Sequence, residues 1–480
     1  MLRNHSPARR LGLALMSGLA LAACSTLPRE RPTAPALPTA WQDAPEGAEA
    51  PVTDWWRSFN DPTLDALVAE ALANGPSVRI ALLRVREARA LSQTTITQYL
   101  PELQATGQGQ YTRALEGNIV SFAGAAREQM TGTYGAQVSW EIPLFARIEA
   151  AVTGSRANTQ SALADVRAAQ VALAADIAQA YVDLRAAQQS RAALERSVQT
   201  ADELARILAT SAQAGISSEA DAADARRLAE STRARLPGLV IEQRRAENVL
   251  AVLRGLAPGT EADATRAALS AEAAVPHLEL ASAPAAPADL LRLRPDIARA
   301  EAQALLAASN VADARANLLP RLNLTGLITT SDAIIGSPAG VGSTLLNATP
   351  VISIPLFDWG SRLAQVRQRS AQFDQSLIQY QQVVTQAVAE ASNALVGLDQ
   401  GRLRLQSARI AEQSAETTAR GSRAAYGAGI QSLADRLRSE QQLIDASLTR
   451  VDAEAQLARS AIATYRAFGG GPAVTAAQPR

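Results

Sequence analysis

The sequence predicts a mixed α/β membrane protein in which short amphipathic strands lead into very long helical hairpins, with the whole plan occurring twice in one chain. Three observations carry this: landmark blocks recur in register half a chain apart, alternating runs of strand length precede long proline-free stretches, and the composition leaves little for bond chemistry. The 480 residues are 47% hydrophobic and only 4% aromatic. Their 46 basic residues, all Arg, balance 46 acidic ones. With Cys24, His5 and His277 as the whole stock of thiol and imidazole, no Cys/His zinc site or disulfide framework can be assembled, and a triad would rest on His277 alone. No catalytic residue, metal ligand or cofactor is therefore assigned. No basic block stands out from the scattered arginines, so nucleic acid is not an expected partner.

At the N-terminus, Arg3, Arg9 and Arg10 precede the apolar run Leu11 to Ala23, too short for a stable membrane span and ending in small residues. Residues 1–23 read as a secretory signal. Leu21-Ala22-Ala23-Cys24 resembles a bacterial lipobox, which implies cleavage before Cys24, a covalent lipid on its thiol and, with Ser25 next, delivery to the outer membrane. Residues 24–60 follow as a lipidated tether and equatorial segment, rich in Pro, Ala and Thr up to Pro51.

The duplication is visible in three ordered blocks. Leu100-Pro101 matches Leu319-Pro320, Ile142-Pro143-Leu144-Phe145 matches Ile354-Pro355-Leu356-Phe357, and Ala214-Gly215-Ile216 matches Ala428-Gly429-Ile430. Ser218, Ala220 and Asp221 keep the last offset against Ser432, Ala434 and Asp435. The two copies are expected over residues 61–255 and 289–468, joined by a linker at 256–288 and followed by a tail at 469–480.

Each copy is expected to run helix, two strands and long helical hairpin, and the strands show as a switch to period two. Leu103, Ala105, Gly107, Gly109 and Tyr111 alternate with Gln104, Thr106, Gln108, Gln110 and Thr112. Tyr134, Ala136, Val138, Trp140 and Ile142 then alternate with Thr133, Gly135, Gln137, Ser139 and Glu141, so that Tyr134 and Trp140 stand near opposite ends of one apolar face as an aromatic girdle. In the second copy Leu322, Leu324, Gly326 and Ile328 oppose Arg321, Asn323 and Thr325, and a further strand ends at Ile352 and Ile354. Each run has about ten residues, enough for a tilted membrane strand.

Helices follow. Phe145 to Leu236 and Leu356 to Gly471 contain no proline, and apolar residues recur at helical spacing, as at Leu173, Ile177, Ala180, Leu184 and at Val384, Val388, Ala391, Leu395. A helix over 147–213 would run on the order of 100 Å at about 1.5 Å per residue. Gly215 and Gly429 supply the turns from which a second helix returns, and Pro237 should break or kink the first return. Four strands cannot close a membrane barrel, because outer-membrane barrels have about eight or more and lipid does not tolerate an open edge. The chain must therefore oligomerise, with apolar residues toward lipid and Gln, Thr, Ser and Asn lining a lumen that the hairpins prolong.

With these features in place, the chain resembles the outer-membrane factors of tripartite efflux pumps, the TolC-like and NodT-type lipoproteins, from Cys24 to about Gly470. The resemblance is carried by Asp54-Trp55-Trp56-Arg57-Ser58-Phe59, by Asp61-Pro62-Thr63-Leu64-Asp65-Ala66-Leu67, and above all by Leu291-Arg292-Leu293-Arg294-Pro295-Asp296-Ile297 with Ala300-Glu301. It implies a homotrimer with a 12-stranded barrel in outer-membrane lipid, a 12-helix periplasmic tunnel and an equatorial belt. Its implied partners are a periplasmic adaptor and an inner-membrane RND-type transporter. In the family, acidic side chains at the hairpin tips constrict the pore and small-residue turns meet the adaptor. On that pattern Asp435 is the constricting acid and Asp221 its counterpart, while Arg438 departs from the acidic pattern and is expected to pair with Asp435, or with Asp221 or Asp224 of a neighbour. Gly215, Ile216, Gly429 and Ile430 are the expected docking residues. The function implied is a passive exit duct for drugs or other small molecules. A duct for secreted protein or metal ions, and a non-conducting coiled-coil scaffold, stand as alternatives.

Overall fold

The computed structural model describes residues 32–41, 53–113, 128–144, 147–277, 287–335 and 343–472. Cys24, the signal segment and the last residues of the tail lie outside them. The described chain forms two compact units, one from Val85–Ala162 with Ala300–Tyr380, the other from Ala34–Arg84, Leu163–Arg299 and Gln381–Arg480.

The elements follow the sequence pattern closely. A 3-10 turn at Trp55–Phe59 leads to helices α1 (Pro62–Asn74) and α2 (Pro76–Thr97), strands β1 (Glu102–Arg113) and β2 (Glu128–Ile142), and helix α3 (Arg147–Gln213). The first return is split into α4 (Glu219–Arg233) and α5 (Leu236–Leu253), with the break just ahead of Pro237, which sits in the first turn of α5 where its missing N–H costs nothing. Helix α6 (Asp263–Ser270) lies within the linker and α7 (Leu290–Leu293) just after it. The second copy runs α8 (Pro295–Ala316), β3 (Arg321–Ile335), β4 (Ser343–Ser353), α9 (Ser361–Gly427) and α10 (Leu433–Ala467). Helices α3 and α9 have 67 residues each, and α10, with no internal proline, is an unbroken 35. Strand β4 ends at Ser353, so Ile354 lies beyond it.

In the first unit the four strands form one antiparallel sheet in the order β1-β2-β3-β4. Its register aligns the alternation across all four strands. Leu103 faces Val138, Val138 faces Gly326 and Gly326 faces Ala348, while Gln104 faces Gln137, Gln137 faces Leu327 and Leu327 faces Asn347. One face is thus apolar, with Leu103, Ala136, Trp140, Leu324, Ile328, Leu346 and Ile352, and the other carries the amides and hydroxyls. Below the sheet, Phe373 of α9 is buried against Ala308 and Val311 of α8. Gly154 of α3 allows α8 to approach so closely that a Cβ there would lie 2.4 Å from Ser309 Oγ. Arg147, at the start of α3, pairs with Glu141.

The second unit holds the larger core. Leu64, Leu67 and Val68 of α1, Leu173, Ile177, Tyr181 and Leu184 of α3, Leu250 of α5 and Ala461, Ile462 and Tyr465 of α10 are buried together. Alanine at many contact positions keeps helix backbones close. The Trp55-Trp56 segment closes this core: Trp55 is fully buried, stacks on Tyr465 at 5.1 Å and donates its indole N–H to the Gly470 carbonyl at 3.3 Å. Helix α1 starts where Asp61 Oδ1 accepts from the Thr63 and Leu64 amides at 2.9 and 3.1 Å.

Three buried arginines act as clasps. Arg294 donates to Asp296 through Nε at 3.0 Å and Nη2 at 2.6 Å, to Glu390 of α9 at 2.7 Å and to the Ala467 carbonyl at 2.7 Å. Burial opposes its charge, but these hydrogen bonds prevail and hold the guanidinium above its ordinary range. The Arg-Pro-Asp-Ile block is therefore a staple joining the N-terminus of α8 to α9 and to the end of α10. Arg185 plays the same part for α6, donating to the Ala268 and Ala271 carbonyls at 3.0 and 2.6 Å at its C-terminal end. Arg254 closes α5 onto α1 through Glu70 Oε2 at 3.0 Å.

Candidate functional site

The two hairpin tips, both in the second unit, are built alike. At the end of α3 the Gly215 N–H donates to Ala212 O at 2.9 Å and the Ile216 N–H to Ser211 O at 2.8 Å. At the end of α9 the Gly429 N–H donates to Tyr426 O at 3.0 Å and the Ile430 N–H to Ala425 O at 2.9 Å. This pair of bonds is a Schellman motif, and both glycines have φ +72°, which is why Gly occupies the position. The residue after such a glycine frequently packs back onto its own helix. Here Ile216 and Ile430 are instead 81% and 82% exposed.

Each returning helix starts at a serine. Ser218 Oγ accepts from the Asp221 amide at 3.0 Å, and Ser432 Oγ accepts from the Asp435 amide at 3.2 Å. Asp221 and Asp435 therefore stand at the third helical position, where the helix dipole favours a carboxylate. Asp435 is held on both oxygens: Ser432 Oγ donates to Oδ2 at 2.6 Å and Arg438 Nη1 lies 3.0 Å from Oδ1. The pair is exposed, with Arg438 at 68%, so it is worth at most about 1 kcal/mol. Asp224 pairs on its own helix, its Oδ1 3.4 Å from Arg227 Nε.

Behind the tips the two hairpins share a small core of Leu204, Leu208, Ala225, Leu228, Leu433 and Leu437, with Tyr426 alongside. The Arg436 guanidinium lies over the Tyr426 ring at 5.2 Å. Arg423 holds the buried Glu440 through Nη2 to Oε2 at 3.0 Å, joining α9 to α10, and Arg235 Nη1 reaches Asp445 Oδ1 at 2.9 Å, joining the first hairpin to the second. None of these partners was singled out from sequence. The i to i+3 spacing of Asp435 and Arg438 signals their pair, whereas pairs 17 or 210 residues apart leave no local trace.

In the first unit, Tyr134 and Trp140 both lie on the apolar face of the sheet. The Tyr134 hydroxyl donates to Asp332 Oδ2 at 3.0 Å, and the Trp140 indole N–H donates to the Tyr99 carbonyl at 2.9 Å. Six residues separate them, about 20 Å along a strand at about 3.4 Å per residue. Phe357 and Trp359, just past β4, are 75% and 91% exposed and meet edge to face at 5.0 Å. Lying outside any alternating run, they escape the strand pattern.

An apolar-faced sheet with two open edges and hairpins ending in matched turns define a channel-forming protein of the outer membrane, a class whose members conduct rather than catalyse. Residues 67–256 and 286–470 match the family described as outer membrane efflux protein, and the chain belongs to that family. It is 27% identical over 465 residues to outer membrane protein OprJ of Pseudomonas aeruginosa, covering 95% of each chain. It is also 26% identical to cation efflux system protein CusC of Escherichia coli K12, covering 94% of this chain and 97% of that one. Among solved structures, the outer-membrane channel OprN superimposes with a TM-score of 0.78 at 28% identity over 92% of this chain and 99% of that one.

Proposed function

We propose that this protein is the outer-membrane exit duct of a tripartite efflux assembly for small organic molecules, working as a homotrimer anchored by a lipid on Cys24. The observation that carries the coupling to a pump is the matched exposure of Ile216 and Ile430 beyond two identical Schellman turns. A hydrophobic contact from such a residue back to its own helix frequently accompanies this motif, and here both side chains are left exposed. Two isoleucines on rigid turns offer an apolar contact for the hairpin of a periplasmic adaptor, itself bound to an inner-membrane RND-type transporter. Asp435 with Arg438 forms the constriction, three carboxylates each latched by a neighbouring guanidinium.

The barrel supports the transport step. Closure of the two sheet edges by copies of the same chain satisfies every backbone group in lipid and leaves the amide and hydroxyl face around water. The main chemical selection then resides upstream, in the transporter. The likeness to CusC supports a second reading in which metal cations are the cargo.

The test is a deletion strain complemented with wild type, Ile216→Asp or Ile430→Asp. Wild type is expected to restore resistance to drugs and dyes at least fourfold in inhibitory concentration. The aspartate variants are expected to assemble normally yet fail to restore it and fail to cross-link to the adaptor. Full resistance with both variants would remove the docking role, and sensitivity confined to metal salts would favour the second reading.

A further inference from the structure

The face of the sheet that lines the duct carries an unusual wall. Reading across the register, its levels are Gln104, Gln137, Leu327 and Asn347; Thr106, Gly135, Thr329 and Leu345; and Gln108, Thr133, Ser331 and Ser343. None of these residues is ionisable. Among the described strand residues, charge appears on this face only at its periplasmic end, with Glu102, Glu141 and Arg321. Three large apolar side chains interrupt the polar face. Leu327 and Leu345 are diagonal neighbours, since Leu327 faces Asn347 and Thr329 faces Leu345, and Val351 stands lower, opposite Asn323. Leu345 is 65% and Val351 46% exposed, and Leu327 is half-buried, so the pair is at least partly presented to the lumen.

A wall that favoured cations would concentrate carboxylates, and one that held soft metals would present Met, Cys or His. The whole chain has 3 Met, 2 His and 1 Cys, and the only Met within a strand, Met130, lies on the opposite, apolar face. Amide and hydroxyl groups exchange hydrogen bonds with polar solutes of either sign or none, and a leucine pair set among them offers a foothold for an apolar ring.

Resting on the duct reading, we propose that the strand levels above the charged periplasmic end of the barrel form an uncharged, amphipathic wall matched to uncharged or amphiphilic organic solutes. The leucine pair Leu327 and Leu345 is the contact for the apolar part of such a solute.

Planar-bilayer recording separates the possibilities. The doubly substituted Asp435→Ala, Arg438→Ala channel is placed in a tenfold KCl gradient and its reversal potential measured. Leu327→Glu added to that channel should raise its potassium-to-chloride permeability ratio several-fold. Phenyl glucoside, an uncharged aromatic solute, should interrupt the current of the tip-substituted channel, with the interruptions at least halved by Leu327→Gln with Leu345→Gln. No response to Leu327→Glu, or equal interruption in the glutamine variant, would each overturn the proposal. Absence of any conductance from folded, inserted protein would instead count against the duct itself.

Discussion

At the scale of single residues, the buried polar groups of the second unit define where this protein is vulnerable. Tyr181 is fully buried on α3, its hydroxyl donating to Asp61 Oδ2 at 2.7 Å, the same carboxylate that starts α1 through its other oxygen. Burial, reinforced by the Asp61 hydrogen bond, pushes the Tyr181 phenol up to about 12 from an ordinary 10.0. The unfolded chain loses this proton first on raising the pH, so the stabilisation is complete below about pH 10 and is lost between about pH 10 and 12. At about 1.4 kcal/mol per pH unit, the loss is on the order of 2 to 3 kcal/mol. Melting curves from pH 8 to 11.5 should show wild type falling more steeply than Tyr181→Phe, which starts lower because the hydrogen bond is gone. Parallel curves would show that the phenol titrates normally. Little of this was legible beforehand. Trp55 and the Arg-Pro-Asp-Ile block stand out in the sequence, but their partners, Gly470 415 residues away and Glu390 96 residues away, are chosen by the fold. Arg185 has Tyr181 and Gln188 at helical spacing, but its contact with α6 and that of Arg254 with Glu70, 184 residues away, leave no local signal.

At the scale of elements the sequence speaks clearly, because period and punctuation are local properties. The alternation from Leu103 to Thr112 becomes β1, the proline-free run becomes a 67-residue α3, and Pro237 coincides with the break between α4 and α5. The first hairpin turn at Gly215 and the second at Gly429 appear where the repeated Ala-Gly-Ile places them. What pattern could not supply is depth of contact: Gly154 looks like an ordinary weak point in a helix, yet its lack of a Cβ admits Ser309. The tip glycines make the opposite case. A Cβ at Gly215 or Gly429 would meet nothing within 4 Å, so substitution acts only through the φ of +72°. Each of Gly215→Ala and Gly429→Ala should cost about 1 kcal/mol, while Asn, which tolerates the left-handed region, should cost less. Urea unfolding of the four variants checks this. Equal cost for Ala and Asn would mean that the turn geometry relaxes.

At the scale of the whole molecule, the decisive feature is what one chain leaves unfinished. Strands β1 and β4 are the two edges of a four-stranded sheet with an apolar outer face, and an edge in lipid strands N–H and C=O groups at several kcal/mol each. Because the strands alternate in direction, β4 of one copy meets β1 of the next antiparallel, and a ring of copies closes with no edge left. Strand count, alternation and the impossibility of closing four strands are all legible in the sequence, and they demand a ring. The number of copies is not legible, because strand tilt and stagger across the junction are set between chains. Cysteine cross-linking addresses both. Gln104→Cys on β1, combined one at a time with Asn347→Cys, Thr349→Cys or Val351→Cys on β4, places thiols on the lumen face at successive offsets from the junction. One of the three pairs should oxidise to a disulfide-linked ring that runs as a trimer without reductant and as a monomer with it, and the pair that succeeds reads out the stagger. Dimer bands that never progress to a trimer would mean an interface that does not close. Monomer bands alone for every pair would place something other than a second copy against these edges.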